Sequence, residues 1–378
     1  MNSRYVKFAI GCFHFGLKKV NPGGMTGENY LEELSETLEN IPNINNLDIF
    51  VDDDFKSHRI EATAKFTALD EGKYFFPPPT YGFDISFDIY IPERLQFELF
   101  PVMSSAIHAE KFRVYIRGAY HFPVTFVELI DAKNVSEPSM AVAVIREFLR
   151  QQFYEKKPEY IQFDCLGPSP FHADFLLRKG NDKTRAYDSN GFSINCNTEP
   201  AYNLFEIQYS IQRFSSLQEA KEKIFEVLLE EASVFYRIVH YKGLQIIGWG
   251  NLQNKVYELV EANKLHSLKA AWFQTFRLSQ QVQNVVFSLS DFEGNRILES
   301  FEIKRIYQGL KRDTKEIHLQ GFFEEELDEF PDYPVNQVKD IIELLESRRS
   351  KRIDNMVVLT ASIIGGIIGA VITMLVAS

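Results

Sequence analysis

Cysteine is scarce in this chain. Its 378 residues hold three, Cys12, Cys165 and Cys196, and no two stand at Cys-x-x-Cys spacing. An odd and widely spaced set excludes a disulfide framework and the usual cysteine zinc site, and suits reduced thiols. The short signatures of common enzymes are also missing. There is no Gly-x-Ser-x-Gly, no His-Glu-x-x-His, no phosphate loop ending in Gly-Lys-Ser/Thr and no dinucleotide fingerprint. Basic residues are outnumbered, 41 Lys and Arg against 52 Asp and Glu, for a net charge of −11. That balance argues against nucleic acid as the main partner, because phosphate binding needs a basic face. The N-terminal stretch "MNSRYVKFAIGCFHFG" is interrupted by Lys7 and His14 and lacks a small-residue cleavage site, so it does not read as a signal peptide. No internal repeat or long low-complexity tract appears.

What is present is core-forming material. Hydrophobic residues make up 45% of the chain, with 33 Phe among them, which excludes general disorder. The length allows one large or two medium domains.

The first 213 residues predict an α+β domain with a largely antiparallel sheet. "FDISFDIYI" alternates cleanly: Phe83, Ile85, Phe87, Ile89 and Ile91 on one face, Asp84, Ser86 and Asp88 on the other. "RYVKFAIGCFHFG", "LDIFV", "RIEATAKFTAL", "KFRVYIRG", "FPVTFVELI" and "LFEIQYSI" read as further strands, and "EYIQFDC" and "FHADFLL" as a hairpin. Helices are predicted over 28–40 and 139–154. From residue 214 to 330 the period becomes helical. A long helix starts near Ser215 or Ser216, "KGLQIIGWGN" is expected to break it, and "VVFSLSDFEGNRILESFEI" fits either a hairpin at Glu293-Gly294-Asn295 or two helices. An acidic linker and a basic stalk helix follow over 331–355, with an apolar stripe of Val338, Ile341, Ile342 and Leu345 suited to docking on the body or to pairing between copies.

From Met356 to Ala377 there is no charged residue. At ~1.5 Å per residue this run makes a helix of roughly 33 Å, enough for a hydrocarbon core of about 30 Å. Arg348, Arg349, Lys351 and Arg352 precede it and no Lys or Arg follows. The expectation is a single C-terminal transmembrane helix, a tail anchor with the N-terminal domain in the cytoplasm, in a bacterial inner membrane rather than a eukaryotic organelle. The basic cluster suits anionic lipid. Ala361, Gly365, Gly369 and Thr373 recur every four residues, and Ser362, Gly366 and Ala370 form an adjacent row. Such rows let helix backbones approach closely, so a homo-oligomer or a partner membrane protein is expected there. In a cytoplasmic domain the Asn134-Val135-Ser136 acceptor would stay unmodified.

Three places carry residues capable of chemistry. In "IQFDCLGPSPFHADF" a hairpin would set Asp164, His172 and Asp174 on one face, as a general base between carboxylates or as a cation site; the competing reading is the wet face of an amphipathic hairpin. "NPGGMTGENY" places glycines before a helix, but Glu28, Glu32 and Glu33 would repel a phosphate. Asp52-Asp53-Asp54 is a carboxylate run of the kind that holds Mg²⁺, or a solvated turn. Cys12 and His14 share a strand face with no third partner, which reads as core. No cofactor is assigned. The leading expectation is non-enzymatic: a sensing or scaffolding domain that regulates a self-associating membrane helix, as in a membrane-perturbing effector of a bacterial stress or defence system. A tethered enzyme using Asp164, His172 and Asp174 and a passive membrane adaptor are the alternatives.

Overall fold

The computed structural model describes residues 5–17, 25–52, 55–56, 59–60, 83–100, 107, 109–118, 122–131, 137–165, 173–181, 186–199, 202–262, 268–328, 331–348, 350, 351, 354, 358 and 362. The chain divides into two compact units: residues 1–240 with 303–329, and residues 241–302 with 330–378.

The first unit is α+β. Its eight-stranded sheet has the order β11 (Phe192–Glu199), β12 (Tyr202–Tyr209), β10 (Ala173–Lys179), β1 (Tyr5–Gly11), β8 (Val124–Leu129), β7 (Lys111–Arg117), β6 (Phe83–Tyr90), β4 (Ile44–Val51). The sheet is mixed, because β10 and β12 run parallel while the other neighbours are antiparallel. Two small ribbons complete the strands: β2 (Phe13–Leu17) with β9 (Ile161–Cys165), and β3 (Met25–Thr26) with β5 (Arg59–Ile60). "RYVKFAIGCFHFG" is thus two strands, parted at Cys12 and belonging to two sheets.

The alternation in β6 is realised. Phe83, Ile85, Phe87 and Ile89 are all buried, and the residues between them are half-buried. They join Phe112, Val114, Ile116, Val127 and Ala9 in a core closed by α1 (Gly27–Glu39) and α3 (Pro138–Lys156). Helix α2 (Glu93–Leu99) follows β6. Helix α1 starts where Thr26 Oγ1 accepts a hydrogen bond from Asn29 N, an N-cap. Gly27 is required there by close approach, since a Cβ would sit 1.9 Å from the Phe55 carbonyl oxygen.

The other face of the sheet is covered as well, which makes β1 and β8 apolar on both sides. Phe8 pairs in register with Phe175, and Phe175 with Phe205, and both ring pairs stack, at 5.0 and 4.8 Å. Phe225 of α4 (Leu217–Ala262) stacks on Phe126 at 4.2 Å. Burying a ring of this size contributes about 2–3 kcal/mol. The first unit also holds the end of α5 (Leu268–Asp313) and α6 (Gln320–Asp328).

The second unit is helical among its described residues. Trp249, Leu252, Val256 and Leu259 of α4 pack with Val282, Val285, Leu289 and Phe292 of α5. Tyr333, Val335, Val338, Ile342 and Leu345 close the same core from the segment leading into and through α7 (335–348). The stripe on the stalk therefore docks within the chain. The break expected at "KGLQIIGWGN" does not occur: α4 is one 46-residue helix, because Trp249 and Leu252 are core residues and packing overrides three glycines. The segment around Glu293-Gly294-Asn295 is likewise inside α5.

The membrane expectation is corrected. Among the described residues no helix is long and apolar enough to cross a membrane. Helices α4 and α5 have the length, but charged residues recur along both. The run Met356–Ala377 lies outside the described residues except for Val358 and Ser362. The C-terminal transmembrane helix, the tail-anchored single-pass topology and the membrane location are therefore not supported, and α+β is what remains of the expected fold class.

Candidate functional site

The expected hairpin carrying Asp164, His172 and Asp174 does not form. β9 pairs with β2, which sets Asp164 opposite His14, whereas β10 lies between β1 and β12. Asp164 and Asp174 thus stand on strands of different sheets, and His172 lies outside the described residues. The Asp174 carboxylate accepts a hydrogen bond from Ser139 N at 2.8 Å, in the first turn of α3. Burial raises its pKa, and the Ser139 hydrogen bonds oppose the rise. Asp174 secures a helix start to the sheet.

The other expected places resolve in the same direction. His14 is 3% exposed and meets Phe122 edge-on at 5.3 Å, and His240 meets the same ring at 5.3 Å. Burial pushes His14 well below the usual imidazole range, with His240 adding to the effect. Burial, helped by Arg237, pushes His240 down to about 4. Both rings are therefore neutral at neutral pH and serve as core groups. Cys12 is a buried thiol and Cys196 an exposed one, and neither is in a disulfide. Residues 18–24 of the glycine loop lie outside the described residues, as do Asp53 and Asp54, while Asp52 is exposed. Among the described residues no group of three His, Cys, Asp or Glu is placed to hold a metal ion. Of the residues expected to pack or orient a membrane helix, Arg348 and Lys351 are described and exposed, and Ser362 Oγ donates to the Val358 carbonyl at 2.8 Å. Ala361, Gly365, Gly366, Gly369, Ala370, Thr373, Arg349 and Arg352 lie outside the described residues.

Sequence reading missed the buried charges of the first unit. Lys221, 3% exposed, donates to Glu128 at 2.8 Å and to Tyr115 Oη at 3.1 Å. Burial alone would lower its pKa; the Glu128 charge and the two hydrogen bonds outweigh that, so the net shift is upward. On the same sheet face Arg113 grips Asp88 with two bonds, of 2.6 and 2.9 Å, and Asn46 adds a third at 2.8 Å. Glu231 is fully buried, and its two oxygens accept from His318 N (3.1 Å) and Leu319 N (2.8 Å), capping the entry to α6. Burial pushes its pKa up to about 7 against those hydrogen bonds. Asp188 accepts from Asn190 N and Phe192 N, and stands 3.4 Å from His318 Nε2. Asp88, Glu128 and Glu231 are engaged by backbone N–H groups, polar side chains or a cation, which makes them fasteners, and Asp188 Oδ1 does the same for its turn while its buried Oδ2 makes no hydrogen bond.

What stays open is a groove of about 910 Å³ in the first unit, between residues 226–234 of α4 and residues 305–313 of α5. One wall carries Glu226 and Glu230, four residues apart. The other carries Arg305 and Arg312, seven apart, with Asp313 bonded to Arg312 at 2.9 Å. Leu229, Val234, Ile306 and Leu310 supply the apolar lining. Gly309 lies in the groove, and a Cβ there would meet nothing within 4 Å. Four- and seven-residue spacings put each charge pair along one helix side, which the sequence shows. That the two sides face each other is set by tertiary packing across some eighty residues, and the sequence does not show it.

No family model, no curated protein and no solved structure matches the chain.

Proposed function

We propose that this protein is a non-catalytic sensing and scaffolding protein that recognises an amphipathic helical segment of a partner in the groove between α4 and α5. The carrying observation is an apolar-lined groove with Glu226 and Glu230 on one wall and Arg305, Arg312 and Asp313 on the other, left open at Gly309. A groove between helices receives an amphipathic helix through apolar anchors at i, i+3, i+4 and i+7. A volume of about 910 Å³ accommodates such anchors, and the two charged walls would fix the orientation of a segment carrying both signs. The acid–base candidates give no competing support, since the described ones are engaged in capping or core packing.

Panning a library of amphipathic helical peptides on the full chain tests this reading. Selected peptides are expected to share an apolar stripe flanked by opposite charges. Gly309→Trp, which fills open space, is expected to weaken their binding at least tenfold without changing the thermal midpoint. Peptides that bind equally well to the Gly309→Trp chain, or that are insensitive to Glu230→Arg, would remove the groove as the recognition site.

A further inference from the structure

Helix α6 has little of its own to hold it. It is nine residues long, below the ~12–15 at which an isolated helix is even marginal. Phe323 is its one buried residue, packed at 5.1 Å on Tyr307 of α5 and at 5.8 Å on Phe235 of α4. Phe322 meets Phe205 of β12 at 5.8 Å. What fastens the entry to this helix is polar. The Glu231 carboxylate, with no exposed surface, receives His318 N and Leu319 N. The Leu319 carbonyl in turn accepts from Phe322 N and Phe323 N. The charge that acts on Glu231 is that of Glu230, which has the same sign.

The second fastening is incomplete. Asp188 is locked by its own turn, where Oδ1 accepts from Asn190 N and Phe192 N. Its Oδ2 faces His318 Nε2 at 3.4 Å, and both atoms are buried without a hydrogen bond. The entry to α6 thus rests on three titratable side chains from three segments: Glu231 of α4, His318 of the connection after α5 and Asp188 of the turn before β11. Glu230 and Glu316 are the further charges that act on this group. A buried carboxylate with no cation beside it resists ionisation, because the enclosed charge is denied water.

We infer that α6 is a strap that opens as pH rises through neutrality: Glu231 ionises, its charge seeks water, and the connection at His318 and Leu319 lets go. Opening uncovers Phe205, Phe235 and Tyr307, so the first unit gains an aromatic surface by a local rather than a global transition. It does not require that the groove bind anything. With the strap closed Glu231 titrates at about 7, against 4.5 when hydrated. The closed state has its full advantage below 4.5 and loses it as pH climbs through 7. His318 acts in the opposite sense. Burial lowers its pKa, with Asp188 and Glu316 opposing, so its contribution is lost as pH falls.

Hydrogen exchange of the full chain from pH 5.5 to 8, normalised to intrinsic rates, tests the inference. The ratio of wild-type to Glu231→Gln protection at α6 amides isolates Glu231, since His318 titrates in both chains. That ratio is expected to fall roughly 30-fold across the range. A constant ratio overturns the proposal. At pH 8 the wild-type α6 amides are also expected to be at least a hundredfold less protected than β8 amides. Equal protection would mean that α6 leaves only when the whole unit unfolds, and overturns the strap. His318→Gln gives a reading that does not need the Glu231 variant to fold. Freed of the opposing titration, its α6 protection should fall by the same factor over the same range, and protection that ignores pH overturns the proposal.

Discussion

The two units treat their apolar residues differently. In the first, a sheet covered on both faces takes up nearly every large side chain, and the exposed exceptions, such as Phe50, Tyr154 and Ile211, sit singly on separate segments. In the second, three helical stretches share one modest core, and α5 leaves Phe287, Ile297, Leu298 and Phe301 exposed. A sheet with two covered faces completes itself. A helix flanked on one side only does not, because among the described residues the rest of its surface is left exposed. Buried charge occurs in both units. The first encloses Lys221 and Glu231 and the second Lys242, and burial pushes Glu299 of the second up to about 7.

The largest effect that separates the units is expected from Phe126→Ala. The ring is fully buried and stacked on Phe225, so its loss should cost about 4 kcal/mol. Urea titration read by hydrogen exchange at β8 amides should show that loss, while Trp249 fluorescence, which reports the second unit, keeps its midpoint. Equal shifts in both probes would merge the units into one cooperative block.

Lys221→Met comes next. It strands Glu128, which is 16% exposed, and should cost about 3 kcal/mol. Adding Glu128→Gln should restore most of the stability. If the double variant is no more stable than Lys221→Met alone, the pair is not what holds α4 to the sheet.

The third effect depends on pH. Glu231 has a folded pKa of about 7, raised above its ordinary value of 4.5. A raised carboxylate contributes most below the unfolded pKa, and that contribution is lost as pH climbs through the folded one. Stability should therefore fall between pH 4.5 and 7 by about 3 kcal/mol on account of this group. Denaturation of Glu231→Gln across that window should show a flatter profile, with the variant gaining on the wild type toward pH 7. An unchanged slope would place the titration elsewhere.

The smallest effect is the control. Tyr154→Ser, at a side chain 77% exposed in the first unit, should change stability by no more than about 0.5 kcal/mol and leave sedimentation unaltered. A larger loss would mean that the ring packs on the first unit and is not a free surface group.

Local pattern carried much of the fold and little of the site. The alternation in "FDISFDIYI" was enough to place β6 and its buried face, and the amphipathic run over 28–40 was enough to place α1, though not its Thr26 cap. Alternation identifies a strand but not its partner. That is why "EYIQFDC" and "FHADFLL", adjacent in sequence, pair with β2 in one case and with β1 and β12 in the other. Glycine propensity at 243, 248 and 250 argued for a break that Trp249 and Leu252 prevent by packing. The charge-free run at 356–377 has the length of a membrane span, yet among the described residues no helix meets that requirement. The groove is built from stretches whose charges are visible in the sequence and whose juxtaposition is not.

The most direct test of recognition in the first unit combines one peptide with two variants. A groove-selected peptide is titrated into the wild type, into Gly309→Trp and into Phe287→Glu/Phe301→Glu, and the heat of binding is measured. The prediction is that Gly309→Trp loses the peptide at least tenfold while the α5 variant binds it like the wild type. Equal affinity for Gly309→Trp and the wild type would contradict recognition in the groove.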